Sequence, residues 1–181
     1  LGSIYLRQDR VDDALKTLQR ALALDPTLPL ANNTMGLTAL RKGMGEVAEA
    51  HFREAIRLQP DLAEAHNNLG NLLAGRHAYA EAAYHFEKAI ASNPRYVEAR
   101  HSYGVTLALA GSYSRAVTEL EAVVELAPRL ATLRLDLADV LATMGRLDEA
   151  RAHLTVAAET GDAGERETAL ARLRALERPR Q

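Results

Sequence analysis

The residues of this chain best suited to chemistry are its six histidines and its paired carboxylates. Glu98 and His101 have the Glu-x-x-His spacing of half a di-iron ligand set, in which carboxylate and imidazole project from one helix face. His51, His85 and His153 recur at intervals of 34 and 68 residues. A metal centre needs several such donors at bond lengths of about 2 Å. Equal spacing on this scale instead puts each histidine at the same place on a different structural unit, about a helix diameter or more from the next. One ion cannot bridge them, and no matching carboxylates accompany Glu98 and His101, so these rings read as solvated or groove-lining. The acidic pairs Asp12-Asp13 and Asp148-Glu149 stand where helices begin, and capping and the helix dipole account for them. The absence of cysteine removes thiolate catalysis, Cys-bound zinc and disulfides. There is no glycine-rich phosphate loop, nucleophile elbow or His-Glu-x-x-His motif. The expected chemistry is non-covalent recognition: no enzyme, no cofactor and no metal.

The elements that would position a recognition surface are set by a period. Pro26, Pro60, Pro94 and Pro128 stand 34 residues apart. Gly2, Gly36, Gly70 and Gly104 keep the same interval, as do Ala14, Ala48, Ala82, Ala116 and Ala150. In one unit, Ala65, Leu69, Leu72 and Leu73 have helical spacing over 64–76, predicting a helix A. Ala82, Ala83, Phe86, Ala89 and Ile90 do the same over 80–91, predicting a helix B that Ser92-Asn93-Pro94 ends. Each unit is then an antiparallel helical hairpin that cannot cover its own apolar face and must stack on its neighbours.

The pattern Leu69-Gly70, Leu73, Ala82, Phe86, Ala89, Pro94 resembles the tetratricopeptide repeat. The resemblance covers nearly the whole chain and implies an all-α fold: a right-handed superhelical solenoid of antiparallel helix pairs with a C-terminal capping helix. It divides one solenoid over 1–181 into a partial repeat 1–28, repeats 29–62, 63–96 and 97–130, a degenerate repeat 131–164 and a capping helix 165–178. Small residues at Gly70 and Ala82 suit the closest approach of helices A and B, with Phe86 and Leu73 filling the adjoining space. Departures are Ala138 for the glycine and Asp162 for the proline in the last copy, Gly45 for an aromatic in the turn, and Met35 for Leu. A terminal unit, lacking one neighbour, tolerates such decay. Leu170, Leu173 and Leu176 form one side of the capping helix and Arg166, Arg172, Arg174 and Glu177 the other. Glu165 and Arg178 suit its dipole and Pro179 ends it.

Composition narrows the partners. A net charge of −2 and a pI near 6.3 supply no basic footprint for nucleic acid, which also disfavours the RNA-reading pentatricopeptide repeats. No apolar run reaches the roughly 20 residues of a membrane span, so no membrane insertion is expected. The first residues fall inside a helix A by register, so the chain is expected to lack its true N-terminus. Lack of cysteine fits the cytoplasm or a disulfide-free periplasmic protein, with the cytoplasm preferred. The bias toward Ala, Leu and Arg suggests a bacterium with GC-rich DNA.

The tetratricopeptide resemblance implies that the A helices line a concave groove. Carried onto this sequence, its groove positions include Asn33, Leu37, Leu40, Asn67, Asn68, Asn71, His101, Ser102, Val105, Asp136 and Asp139. The four amides would hydrogen-bond along an extended peptide backbone, as a similar asparagine ladder does in the repeat arm of the protein O-linked N-acetylglucosamine transferase. Leu30, Leu37 and Leu40, with Leu6, would form an exposed apolar patch for a helical partner or a second copy of the chain. Positions at which some members carry cations for a chaperone C-terminal carboxylate hold Asn33 or Asn67, Glu98 or Thr132, and Ser102 or Asp136, which disfavours that ligand. Glu64, Glu98, Asp136 and Asp139 favour a neutral or basic one. The expected function is a non-catalytic scaffold binding a protein or peptide in its groove. The alternatives are the substrate-recruiting arm of a larger enzyme, such as a glycosyltransferase or sulfotransferase, and a self-assembling structural element.

Overall fold

The computed structural model describes residues 1–177, which form eleven α-helices in two compact units divided between Pro94 and Arg95. The first unit holds α1 (Gly2–Arg7), α2 (Val11–Leu24), α3 (Pro29–Arg41), α4 (Gly45–Leu58), α5 (Ala63–Gly75) and α6 (Tyr79–Ser92). The second holds α7 (Val97–Leu109), α8 (Tyr113–Leu126), α9 (Ala131–Thr143), α10 (Leu147–Thr160) and α11 (Ala163–Leu176). Within each unit consecutive helices pack on one another, and alternate helices also touch: α1 on α3, α3 on α5, α7 on α9, and α9 on α11. No helix among the described residues is long and apolar enough to cross a membrane. The residues Arg178 and Pro179, expected at the end of the last helix, lie outside the described ones.

The hairpins close on one recurrent contact. A Cβ added to Gly36 would lie 2.5 Å from the Phe52 ring, and one added to Gly70 2.8 Å from the Phe86 ring. At Gly2 and Gly104 the obstacles are Leu18 and Leu120, each at 2.7 Å. Phe52, Phe86 and Leu120 are fully buried, as are Ala14, Ala48, Ala82, Ala116 and Ala150 on the facing stretch of the second helix of each pair. Small residues thus sit where the backbones approach and one large side chain fills the space beside them. In α9 the position is Ala138, which is buried, as is Leu154 sixteen residues later.

Each A-to-B turn passes through a left-handed residue: Asp9, Gly43, His77, Gly111 and Gly145. The next amide then bonds back into the finished helix, as in Met44 N to Ala39 O at 2.9 Å and Ala78 N to Leu73 O at 3.0 Å. This is a Schellman-type end, which glycine enters without a Cβ penalty. Asp9 and His77 adopt it with φ near 60°, within the range these residue types tolerate.

The last helix begins two residues earlier than its apolar pattern indicates. Asp162, a departure from the repeat's proline, is its N-cap: its carboxylate accepts from Glu165 N at 2.9 Å, and Glu165 accepts from Asp162 N at 3.0 Å. Glu165 also accepts from Thr132 Oγ1 at 2.5 Å, tying α11 to the start of α9. Loss of the proline therefore creates a capping box that starts a new helix.

Replacing Gly70 by Leu should overpack the α5–α6 pair, lowering stability by on the order of 1–3 kcal/mol in thermal or denaturant melts. An unchanged midpoint would contradict the close approach.

Candidate functional site

Rungs join the A helices at a spacing of 35 residues. In the first unit Asn68 Nδ2 donates to Asn33 Oδ1 at 2.9 Å, linking α5 to α3. In the second, His101 Nε2 meets Asp136 Oδ2 at 2.6 Å, linking α7 to α9. Asn33 and Asn67 are buried, Asn68 is half-buried and Asn71 is exposed. The amides therefore do not form the open ladder expected of them: Asn33 and Asn68 bond to each other, because neighbouring A helices lie close enough for side chains to span them. Asn67 is 6% exposed, and its Oδ1 has no hydrogen-bond partner.

The leucine patch needs a second correction. Leu30 is 62% exposed, but Leu6, Leu37 and Leu40 are half-buried. α3 is flanked by α1 and α5, and Leu6 itself packs on the core of Ala14, Leu18 and Met35. A continuous exposed stripe for self-association is absent from α3.

The second unit gathers the remaining residues. Val105, Asp136 and Asp139 line an open cavity of about 270 Å³ between α7 and α9, with Ala108, Leu109 and Val140 supplying more of its apolar wall. Leu109 is 61% exposed at this site. Ser102 stands half-buried beside His101 on α7. Asp139 Oδ2 lies 3.1 Å from Arg172 Nη1 of α11. Partial burial pushes the Asp139 carboxyl above its ordinary range, Arg172 opposes this, and neighbouring Asp136 adds to it. Glu64 and Glu98 are exposed on the outer turns of α5 and α7.

A set of polar contacts within the hairpins was not anticipated. Residues 19 apart pair across the four hairpins from α3–α4 to α9–α10: Asn32 with His51 at 3.0 Å, His66 with His85 at 2.9 Å, Arg100 with Glu119 at 2.6 Å, and Arg134 with His153 at 3.5 Å. The A-helix partner also reaches the carbonyl of the preceding proline, as Asn32 does at Pro26 (3.2 Å), His66 at Pro60 (3.1 Å) and Arg134 at Pro128 (3.4 Å). A carbonyl only accepts, so His66 Nε2 carries the hydrogen and its Nδ1 accepts from His85 Nδ1–H. His51, His85 and His153 are thus fastenings of the hairpin rather than solvated rings. The signal in the sequence was their shared register with a polar residue 19 positions earlier.

Burial pushes His51, His66, His85 and His153 below the ordinary histidine value. For His85 burial leads, followed by the charges of His66 and Arg53, and its value falls to about 4.

Comparison with known proteins agrees with this geometry. Family profiles described as TPR repeat and tetratricopeptide repeat match residues 2–43 and 33–97, and one described as subunit 3 of the anaphase-promoting complex, or cyclosome, matches residues 75–157. The chain belongs to the tetratricopeptide repeat family. No curated protein matches the sequence. Among solved structures, Pseudomonas aeruginosa pilF superposes with a TM-score of 0.83 at 21% identity, over 98% of this chain and 89% of that one. YrrB, described as a TPR protein with an unusual peptide-binding site, gives 0.79 at 22% identity, over 96% and 88%. TTC0263, a thermophilic TPR protein of Thermus thermophilus, gives 0.70 at 25% identity, over 97% and 95%. The fold is that of a helix-pair solenoid, and at the level of the family it is a protein-interaction scaffold, generally non-catalytic.

The depressed histidines make stability pH-dependent. Above about pH 6.5 both folded and unfolded chains hold them neutral; below it the unfolded chain takes up protons that the folded chain resists, so stability falls toward pH 4. The loss should be on the order of 3 kcal/mol from His85, with a smaller slope in His85→Asn, measured by melts across this range. A His85 ring titrating at the ordinary histidine value by NMR would contradict the pairing.

Proposed function

We propose that the chain is a non-catalytic scaffold that holds an extended peptide against its A-helix faces, and that the second unit selects a peptide side chain with an apolar body and a cationic head. The observation that carries this is the open cavity between α7 and α9, whose wall of Val105, Ala108, Leu109 and Val140 is bordered by the carboxylates of Asp136 and Asp139. A Lys or Arg stem would lie on the aliphatic wall while its head meets Asp139, whose carboxylate then exchanges Arg172 for the ligand. Asp136 is held in place by His101 and presents its second oxygen. Peptide backbone would be met by polar groups on the same helix faces, Ser102 in this unit and Asn71 in the first. The apolar and acidic lining disfavours an anionic C-terminal carboxylate as the main anchor. The description of YrrB as a peptide-binding member supports the ligand class.

The test is calorimetry with extended decapeptides carrying one Arg between apolar residues, and with the same peptides carrying Glu. The Arg peptides should bind, and Asp139→Asn should weaken them about tenfold to a hundredfold, the range of a hydrogen bond to a charged group. Equal binding of the Glu peptides, or full affinity in Asp139→Asn, would contradict the reading.

A further inference from the structure

A second cavity, of about 470 Å³, opens in the first unit on the side of the B helices. Its walls are Leu15, Gln19 and Leu22 of α2 and Met44, Val47 and His51 at the start of α4. Its floor is Met35 and Ala39 of α3, which are 5% and 3% exposed. The lining is largely apolar and reaches the surface: Met44 and Val47 are 45% and 40% exposed. It lies on faces of the hairpins that the peptide-binding reading does not use.

The chain supplies its own comparison, because the same groove recurs one repeat later between α4 and α6. There the positions of Leu15, Gln19, Lys42 and Val47 are taken by Glu49, Arg53, Arg76 and Glu81. Those four side chains form an ion-pair network across it: Arg53 meets Glu81 at 2.6 Å and Glu49 at 2.9 Å, and Arg76 meets Glu49 at 2.5 Å. In the first groove no such network can form. Leu15 and Val47 carry no charge, and Lys42 turns to Asp12 at 2.7 Å.

Charge at the rim specifies what would fill the opening. Successive helical residues turn by about 100°, so Leu15 and Gln19 stand between the buried Ala14 and Leu18 on one side and the exposed Lys16 and Arg20 on the other. Lys16 and Arg20, one turn apart, make no salt bridge among the described residues and form a cationic edge along α2. By the same rotation the α4 edge carries Glu46 and the neutral Ala50. Glu54, nearer His51, is held by Arg57 at 2.7 Å. Lys16 feels the carboxylate of Asp12 one turn earlier, which Lys42 already holds, so the net cationic edge of the groove is on the α2 side.

We infer that the groove between α2 and α4 is a docking site for an amphipathic helix of a partner protein, whose apolar stripe enters the cavity and whose acidic flank lies along Lys16 and Arg20. The lining spans about two helical turns on each wall, enough for anchors at i, i+3 and i+7.

The test uses the full chain with labelled methyl groups and a synthetic amphipathic helix of about four turns, with a leucine stripe and one glutamate flank. Titration should shift the methyls of Leu15, Leu22, Met35, Met44 and Val47. A peptide with the same stripe but a lysine flank should bind at least tenfold more weakly, and Lys16→Glu with Arg20→Glu should reverse that preference. Gln19→Arg with Val47→Glu, which copies the bridge between Arg53 and Glu81, should close the groove and abolish binding with little change in melting temperature. If that variant fails to fold, the reversal at Lys16 and Arg20 still decides, since both are surface residues. No binding, shifts confined to methyls of α7 and α9 such as Val105 and Val140, or binding indifferent to flank charge would overturn the inference.

Discussion

The rest of the structure depends on the distance at which two helices of a pair can approach. That distance is fixed by a residue with no side chain on the first helix and a large one sixteen positions later on the second: Gly2 with Leu18, Gly36 with Phe52, Gly70 with Phe86, Gly104 with Leu120. A Cβ at any of these glycines would lie well inside contact distance of its partner. Once backbones meet this closely, the facing alanines of the second helix are obligatory, and all five, from Ala14 to Ala150, are completely buried. The register of every other side chain follows. Residues 19 apart face each other within a hairpin, and residues 35 apart face each other between successive A helices of one unit, as Asn33 and Asn68 do in the first and His101 and Asp136 in the second.

That constraint explains what could be read from the sequence. Gly, Ala and the aromatic or leucine partner recur because sterics permit few substitutes, so the period, the helix pairs and the all-α class were visible in residue identity alone. The polar contacts were not, because the geometry asks only for complementary groups. An amide with an imidazole, two imidazoles, a guanidinium with a carboxylate and a guanidinium with an imidazole all serve at one register. No repeated residue type announces them. Asn33, Leu37 and Leu40 are less open than their register implies for a related reason: facing a groove in one hairpin does not prevent contact with the next, and that depends on α1 and α5 flanking α3. Asp162 read as decay because the proline it replaces was the only reference, whereas its carboxylate and Glu165 together start a helix.

With the interior so constrained, individuality resides in the outer positions. In the second unit these place an apolar wall beside Asp136 and Asp139; in the first they leave a B-side groove unbridged that one repeat later is bridged by Arg53, Glu81, Arg76 and Glu49. The bridging pairs are largely exposed, and ion pairs of that kind contribute little to stability. Their consequence is occupancy of space. The change from Glu49 and Glu81 to Leu15 and Val47 alters which surfaces can receive a partner while leaving the hairpin framework as it was. A repeat fold can in this way hold its core constant and carry different recognition chemistry on successive units.

The framework itself is tested most directly by proton proximity at the glycines. In a sample labelled at glycine α-carbons, strong cross-relaxation is expected between the Gly36 α-protons and the Phe52 ring, between Gly70 and the Phe86 ring, and between Gly104 and the Leu120 methyls. Ring currents should also displace the first two glycine signals. Glycine α-protons showing no contact with these side chains, and shifts of ordinary helical glycine, would contradict the close approach on which the register depends.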